Sequence, residues 1–370
     1  MKGFIRVISG LILVSVFSIT SFAANTNINV SADSAVLYLP ETAEFLYSKN
    51  ADELMPMAST TKIMTALVVL ENSELDDLIV IPDEAVGVEG SSAYLKGGER
   101  LTVEEMLYAL LLQSANDVAT AFAYGIGGGI EQFAEMMNSK AESLGLKNTH
   151  FTNPHGLDDK EHYTTARELA VIAAAAMNNE DFRKIVSSER KSFITKERSR
   201  TYINHNKLLR LYDGCIGVKT GFTKKSGRCL VGAAERDGLL YITVTLDAPN
   251  DWSDHEKMLD LGFDSLQKIN FCSSLDYCYN IPVIGGEKSS LRVGNVDCRS
   301  AIYQAGEVDI KEYVKLTKYL VAPVKKGEML GEVIFTVDGA ESARVPLVAL
   351  ETVKEQKEKG FLDRILSIFK

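Results

Sequence analysis

The chain has 370 residues, 24% of them charged and 46% hydrophobic, with a formal net charge of −10. Such a length and mixture support about two or three domains with packed cores and exclude a disordered or low-complexity chain. The acidic balance argues against a nucleic-acid partner.

The N-terminus, MKGFIRVISGLILVSVFSITSFAAN, places Lys2 and Arg6 ahead of an apolar stretch and small residues at Ser21 and Ala23. This is the layout of a secretory signal, residues 1–23, cleaved after Ala23; Ser15, Ser18 and Thr20 interrupt the run and argue against a spanning anchor. Removing Lys2 and Arg6 lowers the formal charge by two, to −12. The mature chain is therefore expected to work outside the cytoplasm.

Next, SAVLYLPETAEFLYSKNAD alternates apolar residues around the turn-forming PETA, which predicts a hairpin. ASTTKIMTALVVL (58–70) follows, a helix that is apolar nearly all round from Ile63 to Leu70 and so belongs in a core. Capping accounts for Ser59 or Thr60 at its start. It does not account for Lys62, whose neighbours at helical spacing are Ala58, Ser59, Thr65 and Ala66. A lysine is rarely buried without a partner or a task.

An acidic, loop-rich stretch leads to LTVEEMLYALLLQSAN, in which Thr102 and Glu105 form a T-x-x-E capping box for a buried helix ending near Gln113. Two more helices are predicted in GIEQFAEMMNSKAESLG and TARELAVIAAAAMNN, separated by the polar loop LKNTHFTNPHGLDDKEHY. Strands separated by Gly, Lys and Asp turns then run through GVKTGFTKKSGRCLVGAAERDGLLYITVTLDAP, followed by a helix in SDHEKMLDLGFDSL. Strands, helices and strands again predict an α+β domain with helices against an antiparallel sheet, residues 24–268.

From 269 to 350 the pattern is short β runs with Gly and Asp turns, among them a hairpin at Asp338-Gly339, and predicts a small β-rich domain. Residues 351–370 read as a charged spacer and an amphipathic helix. In that helix Phe361, Leu362, Ile365, Leu366, Ile368 and Phe369 share one side, too short to span a bilayer but suited to lie in its surface. Five cysteines leave two options open: a bridge between Cys215 and Cys229, which flank an expected hairpin, or a reduced chain. Without C-x-x-C spacing, a zinc ribbon is not expected.

A lone S-x-x-K, here Ser59 to Lys62, is a weak signal. It is joined by S-x-N at Ser114 to Asn116, where the capped helix ends, and by K-T-G at Lys219 to Gly221 on a predicted strand. Fifty-five positions separate Ser59 from Ser114 and 105 separate Ser114 from Lys219. That order and spacing resemble the penicillin-recognising serine acyl transferases. From about residue 30 to its end the chain resembles the low-molecular-mass penicillin-binding proteins, specifically the serine D-alanyl-D-alanine carboxypeptidases; GLKNTHFTNPHGLDD, the β domain and the amphipathic tail carry the resemblance further.

What the resemblance implies is specific. The fold is a β-lactamase/transpeptidase-like α+β domain followed by the β domain. The substrate is a peptidoglycan stem peptide ending in D-Ala-D-Ala, with β-lactam antibiotics as inhibitors and no cofactor or metal. The protein sits at the outer face of the cytoplasmic membrane, held peripherally through residues 361–370, or is secreted.

A serine hydroxyl needs an adjacent base, and burial together with the nearby cation Lys219 lowers a lysine's pKa until part of it is neutral. Lys62 then takes the Ser59 proton and Ser114 returns one to the departing D-alanine. The resemblance implies that the backbone N–H groups of Ser59 and Phe222 form the oxyanion hole. The same resemblance implies that Asn116 holds the substrate amide and Lys219 with Thr220 the terminal carboxylate, while Gly221 is expected to keep the strand clear for a peptide. Phe222 stands where some relatives have His, and Lys207 and Arg210 are candidates for further carboxylate recognition.

Three other readings are disfavoured. A class A β-lactamase needs an E-x-x-L-N loop that Glu161 and Glu168 do not supply. A zinc peptidase would draw on His150, His155, His162 and Asp158, whose spacings fit no compact ligand motif. A silent wall-binding protein would not need every motif position intact.

Overall fold

In a computed structural model of the chain, which describes residues 28–194 and 199–356, the first strand, β1 (Ser34–Leu39), is buried along its whole length. The expected signal at 1–23 and the apolar tail at 361–370 lie outside the described residues. Strand β1 turns back into β2 (Glu44–Lys49), the predicted hairpin. The chain then passes through a 3₁₀ turn at Ala58–Thr61 into helix α1 (Lys62–Asn72). Two short paired strands, β3 (Leu78–Val80) and β4 (Arg100–Thr102), precede α2 (Val103–Leu112). Thr102 caps α2 as the sequence predicts, its Oγ accepting from the Glu105 N–H at 3.2 Å.

Helices α3 (Asn116–Phe122), α4 (Ile130–Ser143), α5 (Ala166–Met177) and α6 (Glu180–Val186) follow. Then come the paired strands β5 (Arg190–Ile194) and β6 (Ser199–Ile203) and the short α7 (Leu208–Leu211). Strands β7 (Cys215–Thr223), β8 (Gly227–Arg236) and β9 (Leu239–Leu246) and helix α8 (Asp251–Ser265) complete the first unit. The sequence reading did not single out α3, α6 or the β5–β6 pair. The two helices span only seven residues each, and the strands are polar enough to read as loop.

The five-stranded antiparallel sheet has the order β2-β1-β9-β8-β7. Alternation along its strands feeds two cores. Val36, Val231, Ile242 and Val244 pack with α1, α2, α3 and α5 on one face. Leu37, Leu39, Leu230 and Tyr241 pack with Met258 and Leu259 of α8 on the other. Both faces are covered, which is why β1 has no polar side. Strand β7, which carries K-T-G, is left at the sheet edge, beside the 3₁₀ turn.

Beyond α8, β10 (Leu266–Asn270) leads to β11 (Cys278–Ile284), β12 (Ser290–Gly294), β13 (Ser300–Gln304), β14 (Ile310–Leu316), β15 (Leu320–Val321), β16 (Met329–Val337) and β17 (Ala340–Ala349). Strands β10 and β13 pair with each other, and the rest form a six-stranded sheet over a third core that includes Leu291, Val333, Phe335 and Leu347. Asp338 and Gly339 both have positive φ, 51° and 81°, as a two-residue hairpin turn requires.

All five cysteines are free, so the structure does not form the Cys215–Cys229 bridge. Cys229 packs into the core on the α1 face and Cys215 against the core on the α8 face, so the sheet itself separates them.

The Thr102 cap gives a first expectation. Thr102→Ala should lower stability by about 1 kcal/mol, seen as a lower denaturation midpoint at unchanged slope.

Candidate active site

The 3₁₀ turn ahead of α1 puts Ser59 and Lys62 three residues apart on one face, and Lys62 Nζ lies 3.0 Å from Ser59 Oγ. Lys62 is fully buried. Its Nζ also donates to Asn116 Oδ1 at 2.7 Å, from the start of α3, and to the His155 carbonyl at 2.6 Å, from the loop between α4 and α5. Burial first, then the charge of Lys219, push the Lys62 pKa well below its usual value, against the opposing effect of Asp117. Lys219, equally buried on β7, donates to the Thr220 carbonyl at 2.8 Å and is pushed down to about 7 by burial.

These residues underlie a cleft of about 560 Å³ whose walls include Ser59, Ser114, Thr220, Gly221 and Phe222. Ser114 sits between α2 and α3 with φ at +62°, a left-handed conformation that is costly for serine and turns the chain sharply. Lys62, Asn116 and Lys219 lie beneath the lining rather than in it. Asn116 Nδ2 donates to the Glu89 carbonyl at 2.6 Å, so both ends of its carboxamide are engaged within the protein. Gly221 has a sharper reason than a clear path for peptide. A Cβ there would lie 3.0 Å from the Ser59 nitrogen and 3.1 Å from that of Thr60, so glycine is what lets β7 pass over the turn. Phe222 is 65% exposed at the cleft edge.

Lys207 and Arg210 both line the cleft, as does Arg228 of β8, which the sequence reading did not name. Asp251 holds Arg228 through both carboxylate oxygens, at 2.9 and 2.8 Å, and Trp252 lies against its guanidinium. No motif announces a cation that is fixed by a helix more than twenty residues away.

The histidine loop braces the turn that carries Ser59. His162 Nδ1 accepts from the Thr152 N–H at 3.1 Å, so in the neutral ring Nε2 carries the hydrogen and donates to Thr61 Oγ at 2.8 Å. Thr61 Oγ donates onward to the Ala58 carbonyl. Burial first pushes His162 down to about 4 and His155 to about 3. His150 meets the Glu161 carbonyl and Asp158 the Thr223 hydroxyl. Among the described residues no three His, Cys, Asp or Glu side chains converge as a metal site. Glu168, weighed above for a lactamase, caps the Lys147–Thr149 turn instead: it accepts from two backbone N–H groups and the Thr149 hydroxyl.

Residues 20–250 match the family described as D-alanyl-D-alanine carboxypeptidase, and residues 273–355 match the penicillin-binding protein 5 C-terminal domain. The chain is 31% identical to D-alanyl-D-alanine carboxypeptidase DacF of Bacillus subtilis, over 90% of this chain and 89% of that one. It is 38% identical to the D-alanyl-D-alanine carboxypeptidase of Streptomyces sp. K15, over 60% and 84%. The solved structure of penicillin binding protein 5 from Haemophilus influenzae superposes with a TM-score of 0.63 at 28% identity, covering 89% of this chain and 99% of that one.

Buried neutral histidines make stability depend on pH. His162, His155 and His255, the last between the Thr243 and Thr245 hydroxyls, hold pKa values of about 4, about 3 and about 3 against an ordinary 6.5. Below 6.5 the unfolded chain binds protons that the folded chain refuses. Stability should therefore fall as pH drops from about 6.5 towards 4, by roughly 1.4 kcal/mol per unit for each histidine. Denaturant unfolding at pH 7, 6 and 5 measures it, and a flat profile contradicts the assignment.

Proposed function

We propose, for a chain that belongs to the D-alanyl-D-alanine carboxypeptidase family, that it is a serine D-alanyl-D-alanine carboxypeptidase which removes the terminal D-alanine from peptidoglycan stem peptides through an acyl-enzyme on Ser59. The observation that carries this reading is the set of partners around Lys62 Nζ: Ser59 Oγ at 3.0 Å and two carbonyl oxygens, Asn116 Oδ1 and His155 O, at 2.7 and 2.6 Å.

A neutral amine has two hydrogens and one lone pair. Amide oxygens only accept, so with the two hydrogens on Asn116 and His155 the lone pair faces the Ser59 hydroxyl. Burial and Lys219 keep the amine neutral often enough to serve as a base. Lys62 takes the hydroxyl proton as Ser59 Oγ attacks the carbonyl carbon of the penultimate D-alanine. The ammonium that results has three hydrogens for the same three oxygens. The backbone N–H groups of Ser59 and Phe222 receive the charge that develops on the carbonyl oxygen. Ser114 passes a proton to the departing D-alanine amine and regains one from the Lys62 ammonium, which restores the neutral base; water then hydrolyses the Ser59 ester, its hydroxyl going to the acyl carbon and its proton back to Ser59 Oγ. Asn116 orients the substrate amide once the Glu89 carbonyl is displaced, and Lys219 with Thr220 takes the terminal carboxylate. β-Lactams acylate the same serine.

In the same reading the chain divides into a signal (1–23), the catalytic domain (24–268), the β domain (269–350) and a spacer with a membrane-surface helix (351–370), and it acts outside the cytoplasm. Support comes from the two family matches, which part between residues 250 and 273, and from the separate core of the second sheet. No described helix is long and apolar enough to cross a membrane.

Labelled penicillin should give a long-lived adduct on the peptide containing Ser59, absent in Ser59→Ala, and Lys62→Met should slow acylation by roughly 10²- to 10⁴-fold. The acylation rate should rise from acid pH as Lys62 loses its proton. It should fall above about 7 as Lys219 loses the charge that binds the carboxylate. Rates measured across pH 5–10 test both limbs, and Lys219→Gln should flatten the alkaline one.

A further inference from the structure

One side chain organises the loop that touches Lys62. Asn153, 9% exposed, uses its carboxamide in four directions. Oδ1 accepts from the Gly156 N–H at 2.8 Å and the His155 N–H at 3.3 Å. Nδ2 donates to the Leu157 carbonyl at 3.1 Å and the Thr152 hydroxyl at 3.2 Å. The backbone thus folded inward presents two successive carbonyls to α1: Pro154 accepts from Thr65 Oγ at 2.6 Å and His155 from Lys62 Nζ at 2.6 Å. Gly156, at φ +87°, seals the contact, because a Cβ there would overlap the Ala58 carbonyl.

The His155 carbonyl decides which way the amine faces. If Asn116 alone held one hydrogen of neutral Lys62, the other hydrogen and the lone pair would exchange places, and the amine would as readily donate to Ser59 as accept from it. A second fixed acceptor removes that exchange.

We infer that Asn153 is a positioning residue for the acyl transfer: by tying the Thr152–Leu157 loop it keeps the His155 carbonyl on Lys62 and so keeps the base's lone pair on Ser59. The inference rests on the Ser59–Lys62 reading above. It also sets a sign. A carbonyl bonds an ammonium more strongly than an amine, so withdrawing it lowers the Lys62 pKa further. The other groups facing Lys62 are Lys219 from β7, Asp117 from α3, and His155 and His162 from the loop side. All are present in every protein compared, so their contribution cancels in the shift.

The test is the rate of Ser59 acylation by labelled penicillin from pH 4.5 to 9 in the full chain, Asn153→Ala and Asn153→Asp, with a melting temperature for each. Asn153→Ala should lose about 10- to 100-fold of the plateau rate, with its acid limb moved to lower pH. Asn153→Asp still accepts from the two N–H groups; its plateau should stay within about threefold of the parent, with the limb moved to higher pH by the added carboxylate. A folded Asn153→Ala with unchanged plateau and limb overturns the inference, as does a slow one whose limb has not moved. If Asn153→Ala does not fold, Asn153→Asp decides, and a plateau reduced more than tenfold overturns the inference. An unlabelled parent chain would overturn the Ser59 reading first and this inference with it.

Discussion

A fully buried lysine amine held by two carbonyl oxygens is the constraint around which the catalytic half of the molecule is arranged. Burying a cation is costly unless it is paired or sheds its proton, and this site buries two, Lys62 and Lys219, beneath one cleft. Among the described residues neither has a carboxylate hydrogen-bond partner; Lys62 has Ser59, Asn116 and the His155 carbonyl, and Lys219 has the Thr220 carbonyl. The result is a pair of amines pushed towards neutrality by the same burial. A neutral amine is what the proposed base role of Lys62 requires, and that role would explain why an otherwise apolar helix carries a lysine.

Three separate segments must pack against the Ser59–Lys62 turn for that arrangement to exist. The start of α3 brings Asn116, and the loop before α5 brings His155. Strand β7 passes over the nucleophile turn with glycine at position 221, where a side chain would meet the Ser59 and Thr60 nitrogens. Gly156 plays the same part from the loop side, against the Ala58 carbonyl. The turn is thus held between two glycines, one on a sheet edge and one in a loop. The His162–Thr61 bond, itself backed by the Thr152 N–H, ties it down again. A turn held from these sides keeps the Ser59 hydroxyl and the Lys62 amine at a fixed separation, which is the entropic advantage that the proposed acyl transfer needs.

Part of the cleft lining is basic and aromatic. Lys207, Arg210, Arg228 and Trp252 line it, with Arg228 fixed by Asp251 at the start of α8. This part of the lining is built by tertiary contacts between β8 and α8, whereas Ser59 and Lys62 stand on one short turn.

The sequence by itself determined the elements whose signal is local. The β1–β2 hairpin, the capped α2, the helices α4 and α5, the Asp338-Gly339 turn and the second β-rich unit are all written in short-range periodicity and turn chemistry. So is the Ser59–Lys62 pair, because two residues three positions apart on one helical face meet without help from the rest of the chain. Only the tertiary structure decided that Asn116 bonds Lys62 through its oxygen and Glu89 through its nitrogen, that the His155 backbone carbonyl completes the lysine's partners, and that Asn153 ties that loop. It also decided that Cys215 and Cys229 pack on opposite faces of the sheet. The reason is physical: a backbone carbonyl belongs to every residue and leaves no trace in the choice of side chain, and which residues meet across a hundred positions depends on how helices and sheet pack.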